Sequence, residues 1–164
     1  MGYHPRFAIW SIGGESDAET LRLARRALFH LCISLCRIDF DLLQSKSKKI
    51  NGPAGIPPLY SAGVRYHDDS HLDCWKGTCR IQEDDWQDVQ VCLAKKYADC
   101  EDLACWRCAE LWTQGINALP FPVLQNRGKD EAQLWHIQVL LPDGTIEDPS
   151  ARLGMNSDTP EPST

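Results

Sequence analysis

The chain's 164 residues are 43% hydrophobic and include six Trp, enough for one globular domain with a sizeable core. Its 17 Lys and Arg stand against 23 Asp and Glu, a net charge of -6, and the basic residues nowhere form a stripe with interleaved aromatics, so no nucleic-acid partner is expected. Residues 1–16 lack the basic region and apolar core of a signal peptide, and no run of about 18 uncharged apolar residues occurs, so the expectation is a cytoplasmic protein with no membrane span.

In chain order, "FAIWSI" predicts a strand that ends at Gly13 and Gly14, and "SDAE" reads as a capping box between Ser16 and Glu19. From Asp17 to about Leu43, Leu21, Ala24, Leu28, Leu31, Leu35 and Ile38 recur at helical spacing, with Arg22, Arg25 and Arg26 opposite them. Cys32 and Cys36 lie one turn apart on this helix and read as core packing. Residues 44–58 carry charge, Gly and Pro and predict an exposed loop, and "LYSAGVRY" predicts a strand. The stretch "HDDSHLDCWKGTC" holds metal-capable side chains in His67, Asp68, Asp69, His71, Cys74 and Cys79, but its polarity and irregularity predict a solvated loop.

A short helix is predicted from Asp84 or Asp85 to Lys95 or Lys96, with Trp86, Val89 and Leu93 as its apolar face. A buried helix follows from Cys100 to Gln114. Leu103, Ala104, Cys108, Leu111 and Trp112 share its inner face, and Gly115 stands where a helix end favours positive φ. "LPFPVL" and "QLWHIQVLL" predict strands, and the turn "PDG" leads into "TIED" to close a hairpin. Residues 1–154 thus read as a single α+β domain. The tail 155–164 has little to bury and is predicted to be disordered.

Eight cysteines occur: Cys32, Cys36, Cys74, Cys79, Cys92, Cys100, Cys105 and Cys108. In a reducing compartment they suggest core thiols, metal ligands or catalysis rather than disulfides. Cys100 is singled out by its place in the first turn of a helix, where free N–H groups and the positive end of the dipole favour a thiolate and can receive an oxyanion. A thiol nucleophile needs a base, and of the five His only His136 stands in a strongly patterned strand. The base needs an acceptor that fixes its tautomer. A type I turn at Pro142 and Asp143 with Gly144 in the left-handed position pairs Gln138 with Asp148 and makes Asp148 a diagonal neighbour of His136. A two-residue turn would bring Glu147 there instead.

A Cys opening a helix, a His on a strand and an Asp in a "DPS" context resemble the transglutaminase-like core of the papain-like cysteine peptidase superfamily. More narrowly, "PPLYSAGVRY", "DCEDLACWRCAEL" and "WHIQVLLPDGTIEDPSARLGM" look like a group of bacteriophage-encoded transglutaminase-like proteins, over roughly residues 20 to 155. Ala98 stands where that family more often has Gly. The resemblance implies a helix bearing the Cys packed on an antiparallel sheet bearing the His and Asp. It gives Cys100 the role of nucleophile, His136 that of base and Asp148 that of carboxylate. An oxyanion donor would come from an upstream Gln or Trp, here Trp86, Gln87 or Gln90.

The implied activity is acyl transfer on a peptide or protein substrate with no cofactor, by a peptidase or amidase. Phage structural proteins would be further partners, and the location would be the host cytoplasm or the virion. Transfer to an amine would make it a transglutaminase, and an inert triad would make it an assembly or virion component. Asp99, Glu101 and Asp102 disfavour a thiolate by like charge, although acids in a first turn also stabilise the helix. A rival of another class is a zinc-stabilised binding domain using Cys105 and Cys108 with Cys74 and Cys79.

Overall fold

The computed structural model describes residues 6–7, 18–45, 55–67, 72–75, 78–81, 84–125 and 134–155. Helix α1 (Ala18–Gln44) buries Leu28, Cys32, Leu35, Cys36 and Asp39, a stripe at three- and four-residue steps. The capping-box Ser16, the strand residues after Phe7, most of the 44–58 loop and the tail beyond Met155 lie outside the described residues.

Helix α2 (Val89–Lys95) is short, and helix α3 (Cys100–Thr113) is buried nearly all round, from Glu101 to Trp106 and from Cys108 to Leu111. Such a helix belongs in an interior. One side of α3 packs with α1, Trp86, Ala118, Ile137 and Val139; the other places Leu103 and Trp106 with Leu59, Val64, Val89 and Cys92. Two apolar clusters therefore share α3 as their common wall.

Among the described residues the largest sheet is antiparallel and three-stranded, in the order β7 (Leu119–Gln125), β8 (Leu134–Leu140) and β9 (Ile146–Glu147). Pro120 lies opposite Val139 and Pro122 opposite Ile137, and both prolines are buried. Smaller pairs are β1 (Arg6–Phe7) with β5 (Asp84–Asp85), parallel β2 (Arg65–Tyr66) with β6 (Tyr97–Ala98), and hairpin β3 (Leu72–Trp75) with β4 (Thr78–Ile81). A last turn, α4 (Pro149–Arg152), packs on α3. The architecture is α+β.

Three segments differ from the sequence-based expectation. The strand expected at 59–66 is a 3-10 turn, Leu59–Ser61, with only Arg65–Tyr66 extended. Leu59 is fully buried and its N–H is taken by the Glu110 carboxylate, an anchor from 51 residues away that bends the chain. The solvated loop expected at 67–79 contains the β3–β4 hairpin, with Cys74 opposite Cys79; an X-Gly dipeptide between alternating residues is a hairpin signal that the polar composition obscured. Helix α2 starts at Val89 rather than near Asp85 because Asp88 caps it, accepting from the N–H groups of Gln90 and Val91 at 3.0 Å each.

Candidate active site

The β8–β9 connection contains the turn that its residues dictate. Gly144 has φ +86, its N–H donates to the Leu141 carbonyl at 3.0 Å, and the Leu141 N–H donates to the Thr145 carbonyl at 2.8 Å. The register that results sets Leu140 opposite Ile146 and Val139 opposite Glu147. Asp148 comes next, beyond the last ladder pair.

His136 Nε2 lies 2.8 Å from Asp148 Oδ2, and the Gln138 amide donates to the same oxygen at 3.1 Å. The other oxygen, Oδ1, accepts from the Ala151 N–H at 3.0 Å, so Asp148 is also the N-cap of α4, with Pro149 at the first helical position. This accounts for the "DPS" stretch: one carboxylate caps a helix start and grips an imidazole. Burial pushes the Asp148 carboxyl up, but the Ala151 N–H, the His136 ring and the Gln138 amide outweigh it and hold it below the usual carboxylate range. A carboxylate only accepts, so Nε2 carries the proton and Nδ1 is the basic nitrogen of the neutral ring, a tautomer assigned from the network. His136 is 5% exposed.

Glu147, the alternative acceptor, goes elsewhere. It is held by the Tyr60 hydroxyl and, at 2.9 Å, by Arg107 Nε. Alternation gives Val139 and Glu147 the side of the ladder that meets α3, and His136, Gln138 and Asp148 the other side.

Cys100 is the first residue of α3 and half-buried, and its thiol donates to Glu101 Oε2 at 3.2 Å. The strand before it, β6, pairs with β2, and the Tyr66 N–H at the end of β2 donates to the Leu153 carbonyl just after α4. A backbone chain thus links the tip of α3 to the helix capped by Asp148. Cys100 and Trp135, the residue before His136, both pack against the apolar cluster that α1 shares with α3.

The acids near Cys100 are not simply first-turn helix formers. Glu101 and Asp102 are 5% and 0% exposed, and Asp102 accepts from the Gln87 N–H at 2.7 Å. Asp39, from α1, accepts from the Val89 N–H at 2.9 Å. Residues 87–89 are thereby tied to both α3 and α1. Of the three upstream oxyanion candidates, this joins Gln87 to the first turn of α3, and Trp86 packs in the same cluster as Cys100. Gln90 lies in the first turn of α2. The clamp was not visible in the sequence, because Asp39 and Asp102 look like any surface acid until their distant partners are known.

Five of the other cysteines are core. Cys32, Cys36, Cys92, Cys105 and Cys108 are all 0% exposed, and Cys105 Sγ donates to the Cys32 carbonyl at 3.3 Å. Burial pushes the Cys92 and Cys105 thiols well up, and a hydrogen bond with Cys36 together with burial does the same to Cys108. Burial would raise Cys36 too, but hydrogen bonding with Cys105 and Cys108 outweighs it and lowers this thiol inside the α1–α3 interface. Cys105 and Cys108 therefore neighbour Cys32 and Cys36. Among the described residues no three His, Cys, Asp or Glu are grouped so as to hold a metal ion, and no helix is long and apolar enough to cross a membrane.

Compared with protein-family models, curated proteins and solved structures, the chain matches none of them.

Proposed function

We propose that this chain is a cysteine-dependent acyl-transfer enzyme with a transglutaminase-like core, a phage-encoded peptidase or amidase acting through Cys100, His136 and Asp148. The observation that carries the reading is the 2.8 Å contact between His136 Nε2 and Asp148 Oδ2, with Asp148 pinned by two further donors. That contact leaves Nδ1 as the base. In the proposed reaction Nδ1 takes the Cys100 proton, and the thiolate adds to an amide carbonyl of a peptide or protein. The oxyanion is received by the N–H groups at the start of α3 and by a donor from Trp86, Gln87 or Gln90. Collapse breaks the C–N bond, the amine leaves with the proton from His136, and a thioester remains on Cys100 for water to hydrolyse. No cofactor enters these steps.

The hydrogen bond from the Cys100 thiol to Glu101 favours a second reading, a phage assembly or virion component that keeps the architecture without turnover. A fluorescently labelled unfolded protein substrate separates the two. Release of peptides that disappears in Cys100→Ala supports the enzyme, release that survives this substitution refutes the assignment, and no release by the wild type favours the scaffold. Incorporation of a labelled primary amine into the substrate in place of hydrolysis would mark a transglutaminase.

A further inference from the structure

Glu101 directly follows the proposed nucleophile, is 5% exposed, and accepts the Cys100 thiol at 3.2 Å. A carboxylate has no proton to give, so the shared proton belongs to sulfur. Such a bond stabilises the neutral thiol, and losing the proton would leave two negative charges side by side where little water screens them. This opposes the start of α3, whose dipole and N–H groups favour the thiolate. The two influences act on one sulfur from adjacent residues.

We propose that Glu101 is a positioning residue that restrains Cys100, holding it as a thiol at rest so that His136 receives the proton only when the Glu101 carboxylate swings away. This rests on the reading of Cys100 as nucleophile. The other titratable groups around this helix start are already engaged. Asp102 accepts from Gln87 at 2.7 Å, Asp88 from Gln90 and Val91 at 3.0 Å each, and His136 pairs with Asp148 at 2.8 Å. Asp99, 6% exposed, also lies beside Cys100. These groups stay in place when Glu101 alone is neutralised.

The test is the rate of Cys100 carbamidomethylation by iodoacetamide in the full chain, resolved by peptide mass spectrometry and followed through the pH range of thiol titration. Glu101→Gln is expected to move the midpoint of the rate profile to lower pH and to raise the rate at neutral pH about tenfold. Greater exposure alone would change the plateau and leave the midpoint in place. Glu101→Asp, which keeps the charge, is expected to restore the wild-type midpoint at least in part; Glu101→Met supplies the neutral variant should the Gln form fail to fold. An unmoved midpoint, or one moved upward, overturns the proposal. A parallel His136→Ala arm keeps the two ideas apart. A Gln shift without any effect of His136→Ala sinks the catalytic reading and leaves the restraint by Glu101, whereas the reverse pattern sinks only the restraint.

Discussion

At the β8–β9 hairpin, Asp148 meets its partners Ala151, Gln138 and His136 at separations of 3, 10 and 12 residues. At the start of α3 the clamps span 15 residues, from Asp102 to Gln87, and 50, from Asp39 to Val89. The hairpin is assembled by local rules, turn chemistry and alternation, and works with a part-exposed carboxylate that has every reason to be ionised. The helix start is assembled by the whole fold and carries acids with almost no access to water. An imidazole–carboxylate pair is thus built from short-range order, while the seat of a thiol depends on distant packing.

Breaking each region should give different signatures. Cys100→Ala is expected to have the largest effect, a loss of turnover of about 10³-fold or more with the far-ultraviolet circular dichroism unchanged. Asp148→Asn should follow, lowering turnover by about 10²-fold or more by upsetting the His136 tautomer, with a smaller change in unfolding midpoint. Asp102→Ala should do the reverse of Asp148→Asn. It strands the buried Gln87 N–H and is expected to cost about 1–3 kcal/mol in denaturant unfolding. A stability change for Asp148→Asn as large as that for Asp102→Ala would erase the contrast drawn here.

The smallest effect expected is in pH dependence, and its sign differs between the regions. The folded Asp148 carboxyl is held below its unfolded value, so its contribution is present above the unfolded carboxylate range, about 3.9, and is lost as pH falls through the folded value. Burial pushes the Asp39 carboxyl well up, aided by Cys36 and Asp88 and opposed by the Val89 N–H, so its contribution is present at low pH and lost as pH rises through the folded value. Urea unfolding of Asp148→Asn and Asp39→Asn against wild type across pH should show the first difference fading on acidification and the second shrinking there and growing toward neutrality.

The same division decides what was legible from the residues. Helix α1, helix α3 and the β8–β9 register follow from apolar periodicity and from Gly144, all readable within short windows. The His136–Asp148 pair is reached by alternation alone once the turn type is chosen. The 3-10 turn at Leu59 was missed because Glu110 imposes it from elsewhere, and the late start of α2 because Asp88 outranks the acids before it as a cap. The roles of Asp39, Glu101 and Asp102 were hidden for the same reason. A carboxylate's partner across tens of residues has no periodic signature.

Among the described residues strand β7 forms the outer member of its sheet, and Pro120 and Pro122 occupy alternate positions along it. Proline brings no amide hydrogen, and in an outer strand the gap falls on the side turned away from the neighbour. An extended polypeptide approaching that margin would find two consecutive docking points blank, so lateral growth of the sheet stops there. The chain thereby carries its own safeguard against strand-to-strand stacking of one copy upon another along β7.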